Sequence, residues 1–402
     1  MIVPDLGYLA PRGTDFTADP HPVYALLRER GPVHRFPTDR TRGVWLVLGH
    51  DAVRAALTDP RLRNDIRHSA DREDDGGHSI GRNMLQTDPP HHTRLRRLVA
   101  REFTGRRVES LRPRVRRIAD GLLDAVSARG RTDLVASFAM PLPVAVICEL
   151  LGVPASDRAA FRAWSTEMVH PADPASANAA AQAMTDYLDA LVEQKLRRPG
   201  DDLLSALAST AAHGEGELPP DELLGMAFLL LVAGHETTVN LISGAVHALL
   251  THPDQLDALR CDPSLLPGAV EETLRHNGPV AASACRFTAE PVEIGGTVVP
   301  AGESVLAVLA SASRDPSRFP DPDRFDIRRD TRGHSAFGHG IHHCLGAPLA
   351  RLEAAVALEC LLERLPDLTL DADPADLAWR PGMLRGLRRL PARYTPQRPG
   401  ER

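Results

Sequence analysis

Two stretches of this 402-residue chain carry residues with chemistry in them. The first is GHETTV, 234–239, at the end of the apolar run MAFLLLVA. A His-Glu pair in a helix raises the zinc-peptidase motif H-E-x-x-H, whose two histidines lie at i and i+4 on one face and share one metal. His235 and Glu236 fit that motif, but the second histidine is replaced by Val239, which binds no metal. The zinc hydrolase reading fails there. A Glu-Thr-Thr run inside an apolar helix needs another purpose.

The second stretch is FGHGIHHCLGAPLAR, 337–351, with Cys344 just before a helical pattern. Free N–H groups and the dipole at a helix N-terminus favour a thiolate. Gly338, Gly340 and Gly346 remove side chains around the cysteine, so a large flat ligand can approach the backbone. On the residues alone, three readings stay open. Cys344 is a buried structural cysteine, or joins His339, His342 and His343 around zinc, or ligates haem iron. Ligands at 342, 343 and 344 cannot easily all point at one metal, which weighs against zinc.

The elements that must position these residues are mostly helical. PPDELLGMAFLLLVAGHETTVNLISGAVHALL reads as one helix of some thirty residues, with prolines at its start and apolar residues nearly all round. Helical patterns also cover about 92–103, 108–126, 141–152, 175–197 and 346–364. HPVYALLRER reads as a helix and VWLVLG as a strand, while 64–86 is a polar loop. Between 280 and 310, alternation broken by Gly-Gly and Pro-Ala-Gly predicts short strands. One mainly α domain over 1–402 with a small β region is the economical expectation.

Composition narrows the function. The chain is 43% hydrophobic and 25% charged, as expected of a globular protein with a large core. A net charge of −6 argues against general nucleic-acid binding. Lys195 is the only lysine, a mark of GC-rich coding. Cys148, Cys261, Cys285, Cys344 and Cys360 are scattered and odd in number, so a reducing cytoplasm fits and a disulfide framework does not. The N-terminus has no signal pattern, and the apolar stretch at 223–233 is short for a bilayer, so no membrane anchor is expected.

Phe337, Gly338, Gly340, His342, Cys344 and Gly346 match F-G-x-G-x-H-x-C-x-G, and this resembles the haem loop of the cytochrome P450 monooxygenases. The resemblance runs from about 85 to 391. AVEETLRHNGPV resembles the E-x-x-R helix, with Glu272 and Arg275. RDPSRFPDPDRFD resembles the segment after it, with Arg324 as third member of a charge cluster. AGHETT resembles the oxygen-groove motif A-G-x-[DE]-T, and LQTDPPHHTRLRRLV an early helix. Two positions depart from the pattern: His91 replaces the acid after D-P-P, and Ser313 the asparagine of N-R-D-P. Neither carries chemistry.

The resemblance implies a single-domain cytochrome P450-like fold with a long central helix over the cofactor, heme b (iron protoporphyrin IX). It implies Cys344 as axial ligand, a thiolate favouring O–O cleavage. His92, Arg96, Arg286 and His342 would hold the haem propionates by charge-assisted hydrogen bonds. Glu236 and Thr237 would relay the two protons that dioxygen cleavage consumes, beside the small Ala233 and Gly234. His235 would point away. Glu272, Arg275 and Arg324 would lock the cysteine loop. Substrate contacts would come from 64–86, Leu229, Val232, Ala233, Val280, Ala282, Ser283, Met383 and Leu384. The small wall at 280–284 suggests a bulky apolar substrate, such as a macrolide, another polyketide or a steroid-like compound, in the secondary metabolism of an actinobacterium. Electrons would come from NAD(P)H through a ferredoxin and its reductase, and the basic stripe Arg94, Arg97, Arg101 is a candidate docking face. A cytoplasmic monomer is expected. The alternatives are a peroxide-driven peroxygenase of the same fold and a non-catalytic haem-binding sensor.

Overall fold

The computed structural model of the chain describes residues 6–11, 15–37, 43–71, 82–169, 173–213 and 218–396. Part of the 64–86 loop therefore lies outside the described residues.

The central helix is Pro220–Thr251, 32 residues long. Pro220 opens it, where a missing N–H costs nothing, and Asp221 and Glu222 face its positive end. It is long and apolar enough to cross a bilayer, but its most apolar window is 67% buried in the fold. It is a core helix. The helix after the cysteine loop, Ala347–Arg364, packs against it and against Arg112–Asp124. Pro141–Leu150 crosses it near the Gly-His-Glu segment. At Gly234 an added Cβ would stand 2.9 Å from Ile147 Cδ1, so glycine there lets the two helices close. One large apolar cluster fills the space between these helices.

The described strands run β1 Val33–Phe36, β2 Val44–Val47, β3 Leu62–Arg63, β4 Arg131–Asp133, β5 Arg286–Thr288, β6 Val292–Ile294, β7 Thr297–Val299, β8 Ser304–Ala307, β9 Thr369–Leu370 and β10 Pro391–Arg393. They form a five-stranded sheet in the order β1-β2-β8-β5-β3, a three-stranded sheet β4-β10-β9 and the hairpin β6-β7. In the large sheet, successive side chains alternate between faces. Leu46 and Leu306 enter one apolar cluster, while Val47, Val305 and Ala307 enter another. Both faces are covered, so the sheet is a rigid flank from which β5 presents Arg286.

The helix Leu266–Asn277 brings Glu272 and Arg275 together, both fully buried. Arg275 Nε donates to Glu272 Oε2 at 2.7 Å and Nη2 to Oε1 at 2.8 Å. Arg275 also donates to the carbonyls of Pro322 (2.8 Å), Ser313 (3.2 Å) and Arg324 (3.3 Å). The third charge differs from the sequence expectation. The Arg324 side chain is 67% exposed and pairs with Asp326, so only its carbonyl serves the cluster. Arg329, 12% exposed, places Nε 3.5 Å from Glu272 Oε1.

A second lock was not foreseen. Glu271 Oε2 accepts from Arg351 Nη2 and His334 Nε2, both at 3.0 Å, tying the same helix to both sides of the cysteine loop. Burial alone would raise the Glu271 carboxyl, but these two partners hold it down at about 2.

Candidate active site: a cysteine loop under the central helix

The cysteine loop closes on itself, with Cys344 N donating to Phe337 O at 2.9 Å. Gly338 and Gly340 have φ of +69° and +76°, a region that strongly favours glycine. At Gly340 a Cβ would also stand 2.8 Å from Leu57 O. Nothing lies within 4 Å of a Cβ built on Gly338, so that side of the loop is open. Arg351 caps the Phe337 ring at 4.5 Å.

Between loop and central helix lies a cavity with about 1480 Å³ of empty space, its open mouth included. Cys344 opens onto it. Burial pushes the Cys344 thiol up, against the lowering pull of the Gly346 and Ala347 N–H groups and of Arg96 and Arg351. The helix N-terminus thus acts in the expected direction but does not win alone. A coordinated metal ion deprotonates a cysteine outright. The histidines diverge: His339 Nε2 faces Arg54 at 3.1 Å, and the His342 ring packs against His92 at a tilt of 49°, with centroids 4.2 Å apart. Among the described residues no three metal-ligating side chains gather, so zinc has no site in this loop.

His92, Arg96, Arg286 and His342 meet at one end of the cavity. Their burial is costly and mostly uncompensated. Both ring nitrogens of His92, Nε2 of His342 and Nε of Arg286 are buried without a hydrogen-bond partner. Burial pushes the Arg286 guanidinium down to about 10 and the His342 imidazole down to about 3, with His92, Arg286 and Arg96 adding to the latter. Among the described residues only Arg96 has a firm protein partner, the His343 carbonyl at 2.7 Å. Buried donors without acceptors mark a place for an acidic ligand. The carboxylates of heme b fit this corner, and its flat face fits the open glycine side of the loop.

On the opposite wall, Thr237 lines the cavity and donates to Ala233 O at 3.0 Å. Glu236 is buried behind it and does not line the cavity. Its carboxyl is raised by burial, with Arg380 pulling the other way. His235 turns away, as expected: Nδ1 donates to Leu231 O and Nε2 accepts from Ser165 Oγ, both at 2.8 Å. Burial lowers it to about 4, so it is a neutral core histidine.

Of the expected substrate contacts, Leu229, Ala233, Val280 and Ser283 line the cavity. Val232, Ala282, Met383 and Leu384 do not. Ala282 is fully buried, Met383 packs on the cluster beside the sheet, and Leu384 bridges to Val280 through its backbone. From the expected stretch 64–86, Asn64, Met84 and Leu85 line the cavity, while the sequence reading did not name Ile147, Leu241, Leu309 and Glu353. Ile147 and Glu353 enter only through helix packing. Glu353 is a buried acid raised well above its ordinary value. The basic stripe is also incomplete: Arg94 turns to Glu222 on the central helix, leaving Arg97 and Arg101 exposed.

Comparison with known proteins agrees with this geometry. Residues 263–374 match the family model described as Cytochrome P450. The chain is 58% identical to Cytochrome P450 monooxygenase PikC of Streptomyces venezuelae, covering 97% of this chain and 94% of that one. It is 46% identical to 6-deoxyerythronolide B hydroxylase of Saccharopolyspora erythraea, covering 97% and 98%. The tirandamycin C-bound structure of the P450 monooxygenase TamI superposes with a TM-score of 0.88 at 46% identity, covering 94% and 98%. The chain belongs to the cytochrome P450 family and is a heme b monooxygenase.

Proposed function

We propose that this monooxygenase inserts one atom of dioxygen into a C–H or C=C bond of a bulky apolar molecule, a macrolide or related polyketide in first place and a steroid-like compound in second. The observation that carries this is the cavity wall: Met84, Leu85, Leu229, Leu241, Val280 and Leu309 surround the space above the cysteine loop. Apolar walls with few polar groups suit large hydrophobic ligands. The names of the relatives support the same class, since one hydroxylates 6-deoxyerythronolide B and one binds tirandamycin C.

When bound, the haem supplies dioxygen activation, with Cys344 as its thiolate ligand. The protein's own share is binding, orientation and proton delivery. Arg96 and Arg286 would balance the charge of the two propionates, and His92 and His342 would orient them through hydrogen bonds. Thr237 uses its O–H on the Ala233 carbonyl, so its oxygen faces the groove as an acceptor that orders water there. Glu236, kept protonated more readily by burial, supplies protons from behind that hydroxyl. Glu272 and Arg275 hold the coil below the cysteine loop.

The electrons come from NAD(P)H through a separate ferredoxin and ferredoxin reductase, and the exposed Arg97 and Arg101 suit an acidic partner. The enzyme works as a cytoplasmic monomer of one domain. A peroxide-driven peroxygenase is disfavoured because peroxide brings its own protons and would leave Glu236 and Thr237 without a task.

The test is a titration of the purified holoprotein with macrolides and steroids, followed by turnover. Binding should shift the spin state of the iron, and Thr237→Ala should divert reducing equivalents to peroxide. Full coupling in Thr237→Ala would overturn the relay. Peroxide alone supporting faster turnover than NADH with redox partners would favour the peroxygenase.

A further inference from the structure

Not all of the cavity's unsatisfied polarity suits the haem. Asn64, directly after β3, lines the cavity and is only 6% exposed. Both its main chain and its side chain are tied down. Asn64 N donates to Asp88 Oδ1 at 3.0 Å, and Asp65 N donates to Asp88 Oδ2 at 3.1 Å. In the side chain, Asn64 Nδ2 donates to Leu85 O at 2.9 Å. A main-chain carbonyl only accepts, so the amide must face Leu85 with its NH2 group and turn its oxygen the other way. That oxygen, Oδ1, is buried and has no hydrogen-bond partner among the described residues. Folded proteins rarely leave a buried acceptor unpaired, because it has lost its water for nothing.

The other unpaired polar atoms of the cavity lining have different owners. His92, Arg286 and His342 form the corner for the propionates, and Glu353 Oε2 sits on the helix that follows the cysteine loop. Asn64 stands beside that corner, since β3 pairs Arg63 with Phe287 and Arg286 comes next. Its chemistry is nevertheless the reverse. An ionised propionate has no hydrogen to give, and an amide oxygen can only accept. The residue that Asn64 holds, Leu85, belongs with Met84 to the apolar wall of the cavity. Oδ1 therefore waits for a donor carried by whatever fills that space.

We propose that Asn64 determines specificity: its Oδ1 accepts a hydrogen bond from a hydroxyl group of the bulky apolar substrate. This rests on the reading of the cavity as the seat of such a substrate. Apolar walls select for size, and a few fixed polar groups set orientation. A single rigid acceptor in an apolar wall fixes which way a large ligand turns. It also rejects an analogue without the hydroxyl, which would leave the acceptor buried and unpaired. The substrate is then a hydroxylated molecule, such as a macrolactone with free hydroxyl groups, and not a plain hydrocarbon.

The experiment is an optical titration of the ferric holoprotein with 4-phenylimidazole and with its ortho-, meta- and para-hydroxyphenyl analogues. The imidazole nitrogen binds haem iron whatever the natural substrate is, so the ring enters the cavity from a fixed point. In the wild type at least one hydroxyl isomer should bind about fivefold more tightly than the parent, the gain of one net hydrogen bond. Asn64→Ala should abolish that gain. Asn64→Asp, which keeps an acceptor oxygen but gives up the amide donor to Leu85, should retain it. Equal affinity of the parent and every isomer in the wild type would overturn the proposal, as would a gain that survives in Asn64→Ala. Loss of the gain in Asn64→Asp as well would also overturn it, assigning the effect to the tie on Leu85. If Asn64→Ala fails to hold haem, Asn64→Leu, closer to asparagine in size, carries the same comparison. Failure of the underlying reading shows separately: no macrolide or steroid would shift the spin state of the iron, whatever the phenylimidazoles do.

Discussion

Arg275 and Arg286 are both buried arginines, and they are opposites. Arg275 is met on every side by a carboxylate and main-chain carbonyls. Among the described residues the Arg286 side chain has only a long contact of 3.5 Å to Ala56 O and its Nε has no hydrogen bond, while Asp88 acts on it through charge alone. A buried cation costs free energy unless it is paired. The fold pairs the first itself and leaves the second, with His92 and His342, for an acid that arrives from outside. A self-satisfied charge cluster marks a structural lock, and an unsatisfied one marks a ligand site.

The strongest way to break this contrast is to remove one partner of the satisfied pair. Glu272→Gln should destabilise the protein by about 3–5 kcal/mol, as expected when a buried charge loses its partner. A denaturant melt of the apoprotein reads this directly. The second lock is weaker and depends on pH. The folded Glu271 carboxyl is depressed to about 2, so its contribution is fully present above the unfolded value near 4.5 and is lost as pH falls through the folded value. Glu271→Gln should therefore cost at most about 3 kcal/mol at neutral pH. The gap from wild type should close between about pH 4.5 and pH 2 in melts at stepped pH.

The unsatisfied corner should respond in the opposite way. Arg286→Ala should leave the apoprotein no less stable, since it removes an unpaired buried charge, while the holoprotein loses haem at least about tenfold faster, near 1.4 kcal/mol. Transfer of haem to apomyoglobin measures that rate. The smallest effect separates two arginines of one coil. Arg324→Ala should stay within about 0.5 kcal/mol of wild type, as an exposed substitution does. Arg329→Met, beside Glu272, should cost more.

What the sequence could reveal follows the range of the forces involved. The cysteine loop, the central helix and the Glu272–Arg275 pair are local, set by glycine positions, apolar periodicity and i,i+3 spacing, and they were legible. Arg324 and Arg329 share one Arg/Asp-rich coil without periodicity, so no pattern told which side chain turns inward. Val232 sits between Leu229 and Ala233 on the helix but outside the cavity lining, a difference of face that depends on the rotation of the whole helix. Ile147 reaches the cavity only because Gly234 lets another helix close.

The central claim, that the unsatisfied corner exists to hold two carboxylates, is tested most directly by comparing the affinity of the apoprotein for heme b and for its dimethyl ester. The ester should bind at least about tenfold more weakly, and Arg286→Ala and His342→Ala should narrow the difference. Equal affinity for the acid and the ester in the wild-type protein would contradict it.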